Sequence, residues 1–181
     1  MPRLVRIRDA GLTDLDAIAA LHTRARTAYY TAGGVDPDVL VDPAAAERRT
    51  QAWAELIELS DAAVLCAVDG EQVVGLLAMG PPHDEDVQAT THRELFQIHV
   101  DPDAWGDGVG GALHDAFVER LRAAGFTGAV LEVWEANTRA RAFYARRDWR
   151  DDGVRRPGPA GIDYRRLRLE LGAPHWDATA P

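Results

Sequence analysis

Hydrophobic and polar residues follow two periods along this chain, and the switches between them mark the elements. Arg3, Leu4, Val5, Arg6, Ile7 and Arg8 alternate, which predicts a half-buried first strand. Thr13 precedes Asp14, Leu15, Asp16, Ile18, Ala19 and Leu21, a spacing that predicts an amphipathic helix capped at Thr13. The stretch from Thr31 to Pro37 breaks it. A second helix is expected after Asp42-Pro43, with proline in its first turn, running to Leu59 through Trp53, Leu56 and Ile57. Ala63–Val68 and Gln72–Met79 are apolar runs joined by Asp69-Gly70, a strong hairpin signal. After the polar loop Pro81–Asp86 come a strand at Glu94–Val100, a glycine-rich turn, and a helix over Gly108–Ala124. A strand at Ala129–Trp134, a short helix at Asn137–Arg147, a strand at Ile162–Leu171 and a loose tail over 172–181 complete the reading. The hairpin makes the first half antiparallel. The strand–helix–strand unit at 94–134 is a crossover and so a parallel pair. The expected fold class is therefore mixed α/β, a mixed sheet flanked by helices, with 1–171 as one domain.

Composition narrows the chemistry. The 181 residues, 46% apolar and 27% charged, suit one folded domain. A formal charge of −9 argues against a nucleic-acid partner. No apolar run approaches the length of a membrane span, and the first residues lack a secretion signal. The single cysteine, Cys66, forms no internal disulfide, which fits the cytoplasm. Lysine is absent, excluding a Walker loop and a Schiff-base lysine. The single serine, Ser60, sits in no nucleophile elbow, so a serine hydrolase is a poor reading.

The informative turn is Val100-Asp101-Pro102-Asp103-Ala104-Trp105-Gly106-Asp107-Gly108-Val109-Gly110-Gly111, between a strand and a helix. Its glycines allow close backbone approach, and the first amides of the helix have no intrahelical acceptor. Together they make a site for an anion such as a diphosphate. Gly106-x-Gly108-x-x-Gly111, with Glu132 downstream, also matches a dinucleotide fingerprint, although Asp101–Trp105 separates the glycines from their strand.

These residues resemble the GCN5-related N-acetyltransferase (GNAT) family, whose signature runs from a strand through Gln/Arg-x-x-Gly-x-Gly/Ala into a helix. Gly108 and Gly110 fill its two small positions, while Trp105 and Asp107 stand where Gln or Arg and a basic residue are usual. The second half of the signature, an Asn, an Ala, an aromatic pair and a Gly, is met by Asn137, Ala140, Phe143 and Tyr144, with Asp148 in place of the glycine. Asn137 and Tyr144 are about two turns apart and share a helix face.

The resemblance implies a mostly antiparallel sheet of about seven strands, with a splayed parallel pair forming an acetyl-CoA cleft. It implies acetyl-CoA as cosubstrate, bound by Ile98, His99, Val100, Gly106, Asp107, Gly108, Val109, Gly110, Gly111, Asn137 and Tyr144. It also implies Tyr144 as the acid that protonates the leaving thiolate, and a small-molecule or peptide amine as acceptor. Glu132 and Glu94 are the candidate bases, with His99 a third. Glu132, between Leu131 and Val133 in an apolar strand, is weighed slightly ahead because a buried carboxylate must be paired or perturbed.

Residues 139–181 carry 10 Arg against 6 acidic residues, so Arg139, Arg141, Arg146 and Arg147 are candidates for phosphate contacts. Tyr29, Tyr30 and Trp53 are pocket walls or core. His83, Asp84, Glu85, Asp86 and His92 match no zinc pattern and read as a solvated acidic loop, so no metal is expected. Rival readings are a non-catalytic acyl-CoA-binding module and a dinucleotide-dependent oxidoreductase. No membrane partner is expected, and a homodimer stays open.

Overall fold

A computed structural model describes residues 3–172; the predicted tail beyond Gly172 lies outside the described residues. Strand β1 (Arg6–Asp9) leads through a 3-10 turn (Leu12–Asp14) into α1 (Leu15–Ala32). There follow α2 (Pro37–Leu40), α3 (Pro43–Glu58), β2 (Ala63–Asp69), β3 (Gln72–Gly80), β4 (His92–Val100), α4 (Val109–Ala123) and β5 (Gly128–Trp134). The described chain closes with α5 (Thr138–Ala145), β6 (Arg150–Arg156) and β7 (Tyr164–Glu170). The strands form one seven-stranded sheet in the order β1-β2-β3-β4-β5-β7-β6, and only β4 and β5 run parallel.

Both sheet faces are covered. Alternation in β2–β5 sends Leu65, Leu77, Leu95, Leu131 and Val133 toward α4 and α5, where Leu113, Phe117, Leu121, Tyr144 and Trp149 meet them. Val64, Cys66, Leu76 and Ala78 face the opposite layer of Ile18, Leu21 and Ala25 from α1 and Trp53 from α3. Full burial of a side chain such as Phe117 is worth about 1.5–3 kcal/mol over leaving it exposed. Each layer also holds one tryptophan–histidine hydrogen bond. Trp53 Nε1 donates to His22 Nδ1 and Trp149 Nε1 to His114 Nε2, both at 2.9 Å.

Three expectations change. Thr13 does not cap α1: Asp14 stands at its N-cap, with its carboxylate taken by Arg8 at 2.7 Å and by the Gly11 amide at 2.9 Å. A single-turn helix, α2, which the pattern did not predict, starts at the last residue of the break, where the Asp36 side chain accepts from the Asp38 amide and Pro37 opens the turn. Strand β6 was not among the elements the residues predicted, since its sequence, Arg-Asp-Asp-Gly-Val-Arg-Arg, shows no apolar period. It is an edge strand held to β7 by backbone pairing and ion pairs, Arg165–Asp151 at 3.1 Å and Arg166–Asp152 at 2.7 Å.

Candidate active site

The cleft is opened by a register shift. On β3, Ala78 pairs with Gln97 but Met79 with Leu95, so Phe96 is an extra residue and β4 bulges there. The parallel ladder of β4 with β5 runs only from His92 opposite Gly128 to Leu95 opposite Leu131. Beyond it β4 stays with β3 and β5 with β7, so the two strands part. The gap widens into a cavity of about 410 Å³ lined by Ile98, His99, Val100, the glycine turn, Asn137, Phe143 and Tyr144.

At its mouth the turn has the predicted backbone. Gly106 and Gly108 adopt φ of 92° and 87°, the left-handed region that glycine enters without steric cost. Gly108 caps α4, and the first helical bond runs from the Ala112 amide to the Gly108 carbonyl at 3.0 Å. The amides of Val109, Gly110 and Gly111 therefore lack an intrahelical acceptor, at the positive end of the helix dipole. Asp107 is the exception among the expected cofactor residues, because it does not line the cleft. The Arg3 amide donates to its carbonyl at 2.8 Å and the Arg3 guanidinium lies 3.4 Å from its carboxylate, so its charge is offset. Trp105 donates from Nε1 to the Val100 carbonyl at 2.9 Å and carries the Arg139 guanidinium 4.2 Å above its ring. A cation thus returns to the mouth by stacking. Arg146 and Arg147 also line the cleft, whereas Arg141 turns away to the Glu135 carbonyl.

Helix α5 presents the second half of the motif. The Asn137 side-chain oxygen accepts from the Ala140 amide at 3.0 Å, so the asparagine is an N-cap whose amide NH₂ is left for the cleft. Tyr144 is buried against Phe143 and Trp149, and among the described residues its hydroxyl has no protein hydrogen-bond partner. Burial pushes its phenol above the ordinary range, so it stays protonated at neutral pH. Asp148, in place of the resemblance's glycine, takes φ of 63° and keeps the left-handed helix exit that seats Trp149.

Glu94 and Glu132 meet on the side of the sheet that carries α1 and α3. They line a depression of about 260 Å³ with His83, Asp84 and Arg156. Glu94 accepts from the His83 amide at 2.9 Å and lies 3.0 Å from its Nδ1. Glu132 corrects the sequence reading: it is exposed, because on β5 it points to the opposite face from Leu131 and Val133 and opens into this depression, unlike its buried same-face neighbours Val130 and Trp134. Its carboxylate is paired with Arg156. The loop of Asp84 and Asp86 is likewise not simply solvated, since buried Arg166 holds each carboxylate at 2.7 Å together with that of Asp152. Among the described residues no group of three or more His, Cys, Asp or Glu is placed to hold a metal ion.

At the inner end, His99 stacks on His22 with ring centres 4.7 Å apart and accompanies Tyr29 at 6.1 Å. Burial, with His22 and Arg26 nearby, lowers the His99 pKa to about 3, so it is neutral at physiological pH. Tyr29 lines the cleft, while Tyr30 and Trp53 are core. Sequence reasoning missed His22, Arg156 and Arg166. The i, i+4 spacing of His22, Arg26 and Tyr30 was the available signal for the first; the others are placed by long-range pairing.

A sheet split by one splayed parallel pair, with a glycine-capped helix at the split, defines the class of fold, and known structures share it. The PaiA N-acetyltransferase of Thermoplasma acidophilum, solved in complex with coenzyme A, superposes with a TM-score of 0.74 at 14% identity, over 92% of this chain and 99% of that one. The ribosomal-protein-S18-alanine N-acetyltransferase of Escherichia coli gives 0.71 at 20% identity, over 96% and 98%. In sequence, 82 residues are 38% identical to the mycothiol acetyltransferase of Geodermatophilus obscurus. That match covers 44% of this chain and about a quarter (26%) of the relative's length. The sequence model of the Acetyltransferase (GNAT) family matches residues 20–149. The chain belongs to that family.

Proposed function

We propose that this protein moves the acetyl group of acetyl-CoA directly onto an amine nitrogen. The observation that carries the reading is the opening between β4 and β5, with the free amides of α4 at one end and the Tyr144 hydroxyl inside. A diphosphate fits the amides of Val109, Gly110 and Gly111. The edge of β4 beyond Leu95 has no ladder partner on the β5 side, so its amides and carbonyls can pair with the pantetheine arm. The thioester then lies beside the Tyr144 phenol. A carboxylate, Glu94 or Glu132, takes the amine proton directly or through water. The nitrogen lone pair forms the C–N bond, the C–S bond breaks, and Tyr144 Oη gives its proton to the leaving sulfur. The turn is reached through a 3-10 segment (Pro102–Ala104), and the sheet is mostly antiparallel, so the fingerprint at Gly106–Gly111 lacks the setting of a dinucleotide domain. Buried, unpaired Cys66 supports a reducing, cytoplasmic setting.

The test combines calorimetry with acetyl-CoA, CoA and NADH with thiol release over a panel of amines. Tight binding of acetyl-CoA and amine-dependent thiol release are expected. Binding without release for any amine would leave a non-catalytic acyl-CoA-binding module, and preference for NADH would remove the reading.

A further inference from the structure

Two arginines beside the inner end of the cleft form no ion pair among the described residues. Arg26 follows His22 by one turn of α1, and Arg49 precedes Trp53 by one turn of α3. The Trp53–His22 hydrogen bond, 2.9 Å long, ties those two helices together at this level. The Arg26 guanidinium sits 4.9 Å over the Tyr30 ring, and its chain neighbour Ala25 and the next-turn Tyr29 both line the cleft. The buried Nε of Arg49 has no hydrogen-bond partner. Among the described residues neither arginine is near enough to any carboxylate to form an ion pair, although the chain carries 29 acidic residues. Their neighbours behave differently: Arg24 pairs with Asp101, and Arg48 lies 3.6 Å from Asp42. Of the four arginines on α1 and α3, Arg26 and Arg49 are the two without an ion pair among the described residues. Burial, with Arg26 as the leading cationic neighbour, holds the Arg49 pKa below the ordinary range against the opposing pull of Asp42. Two half-buried like charges with no carboxylate in direct contact oppose folding, and an anionic ligand would relieve that cost.

The geometry points to an anion subsite at Arg26 and Arg49: the acceptor carries a carboxylate or phosphate that these guanidinium groups bind. Its amine then reaches past His99 to the acetyl end of the cleft. Planar guanidinium forks match either oxyanion. The inference deepens the acetyl-transfer reading and rests on it for the role of the amine, while the anion site stands on the arginines alone.

The experiment has two arms. In the CoA-bound protein, with the pyrophosphate site filled, arginine Nε–Hε NMR signals are followed while inorganic phosphate or propionate is added. Saturable shifts of the Arg26 and Arg49 signals are expected, and the better-bound anion identifies the source; no saturable shift with either overturns the inference. In the second arm, O-phosphoethanolamine is compared with ethanolamine, and β-alanine with propylamine. The anionic member of at least one pair should have a kcat/KM higher by about tenfold or more, equal to about 1.4 kcal/mol. R26Q and R49Q should lose that preference and keep their acetyl-CoA affinity, and R26K and R49K should restore part of it. Equal use of neutral and anionic amines, or a preference that survives both Gln variants, overturns the inference while leaving acetyl transfer intact. Saturable arginine shifts without thiol release from any amine would instead remove acetyl transfer and keep the anion site.

Discussion

Replacing Tyr144 by phenylalanine isolates the proposed proton donor. The ring is buried, packed on Phe143 at 5.3 Å and Trp149 at 5.7 Å between centroids, and Phe retains those contacts. Among the described residues the hydroxyl donates to no protein group, so its removal strands no buried partner there, and stability should change by less than about 1 kcal/mol. Acetyl-CoA affinity rests on the α4 amides and the β4 edge and should stay within about twofold, or ~0.4 kcal/mol. Turnover carries the loss. A positioned general acid contributes about 10²–10⁴-fold, or roughly 3–5 kcal/mol of barrier. Burial raises the Tyr144 pKa above the ordinary phenol value of about 10, so the wild-type acid stays protonated through neutral pH and adds no alkaline limb there. The assay is thiol release at saturating acetyl-CoA from pH 6 to 9, with calorimetry for affinity and thermal melting for fold. Unchanged kcat in a folded, acetyl-CoA-binding Y144F would refute the reasoning.

Gly110→Arg should drive a long side chain against Phe143 and Val100, each 3.6 Å from a Cβ built at that position, and weaken CoA binding about 100-fold or more, ~2.7 kcal/mol; calorimetry checks it. Glu94→Gln and Glu132→Gln should differ in their pH–rate profiles, the variant of the true base losing the acidic limb and about 10²–10⁴-fold in kcat; identical profiles would mean that neither is the base. Arg166→Met strips Asp84 and Asp152 of their buried partner and should cost about 3 kcal/mol in urea unfolding, with the acceptor KM rising because the loop bearing His83 is released. Burial, aided by Arg147, lowers the His114 pKa to about 4. Its folded value lies below the unfolded one of about 6.5, so this stabilisation is complete above about pH 6.5 and is lost as pH falls through about 4. His114→Gln keeps an acceptor for Trp149 and should flatten the fall in stability over that window by about 1.4 kcal/mol per pH unit, measured by urea titration at several pH values.

The sequence by itself determined whatever is local. The hydrophobic pattern placed α1, α3, α4 and six of the seven strands, because burial on one face must repeat every two or 3.6 residues. The glycine turn could be read directly, since the positive φ at Gly106 and Gly108 and the unpaired amides of α4 are properties of a few consecutive residues. The motif from Asn137 to Tyr144 was legible for the same reason. Only tertiary structure decided what depends on distant partners. Strand β6 exists because Asp151 and Asp152 find Arg165 and Arg166, a pairing that leaves no period in the chain. The charge on Asp107 is offset by Arg3, and Arg139 reaches the mouth by stacking on Trp105. The environment of Glu132 was set by Arg156, twenty-four residues on, against what its apolar neighbours suggested. Arg26 and Arg49 stand out only once α1 and α3 have packed. A charge's surroundings are summed over all nearby chain, whereas a turn or a helix face is fixed by its own residues.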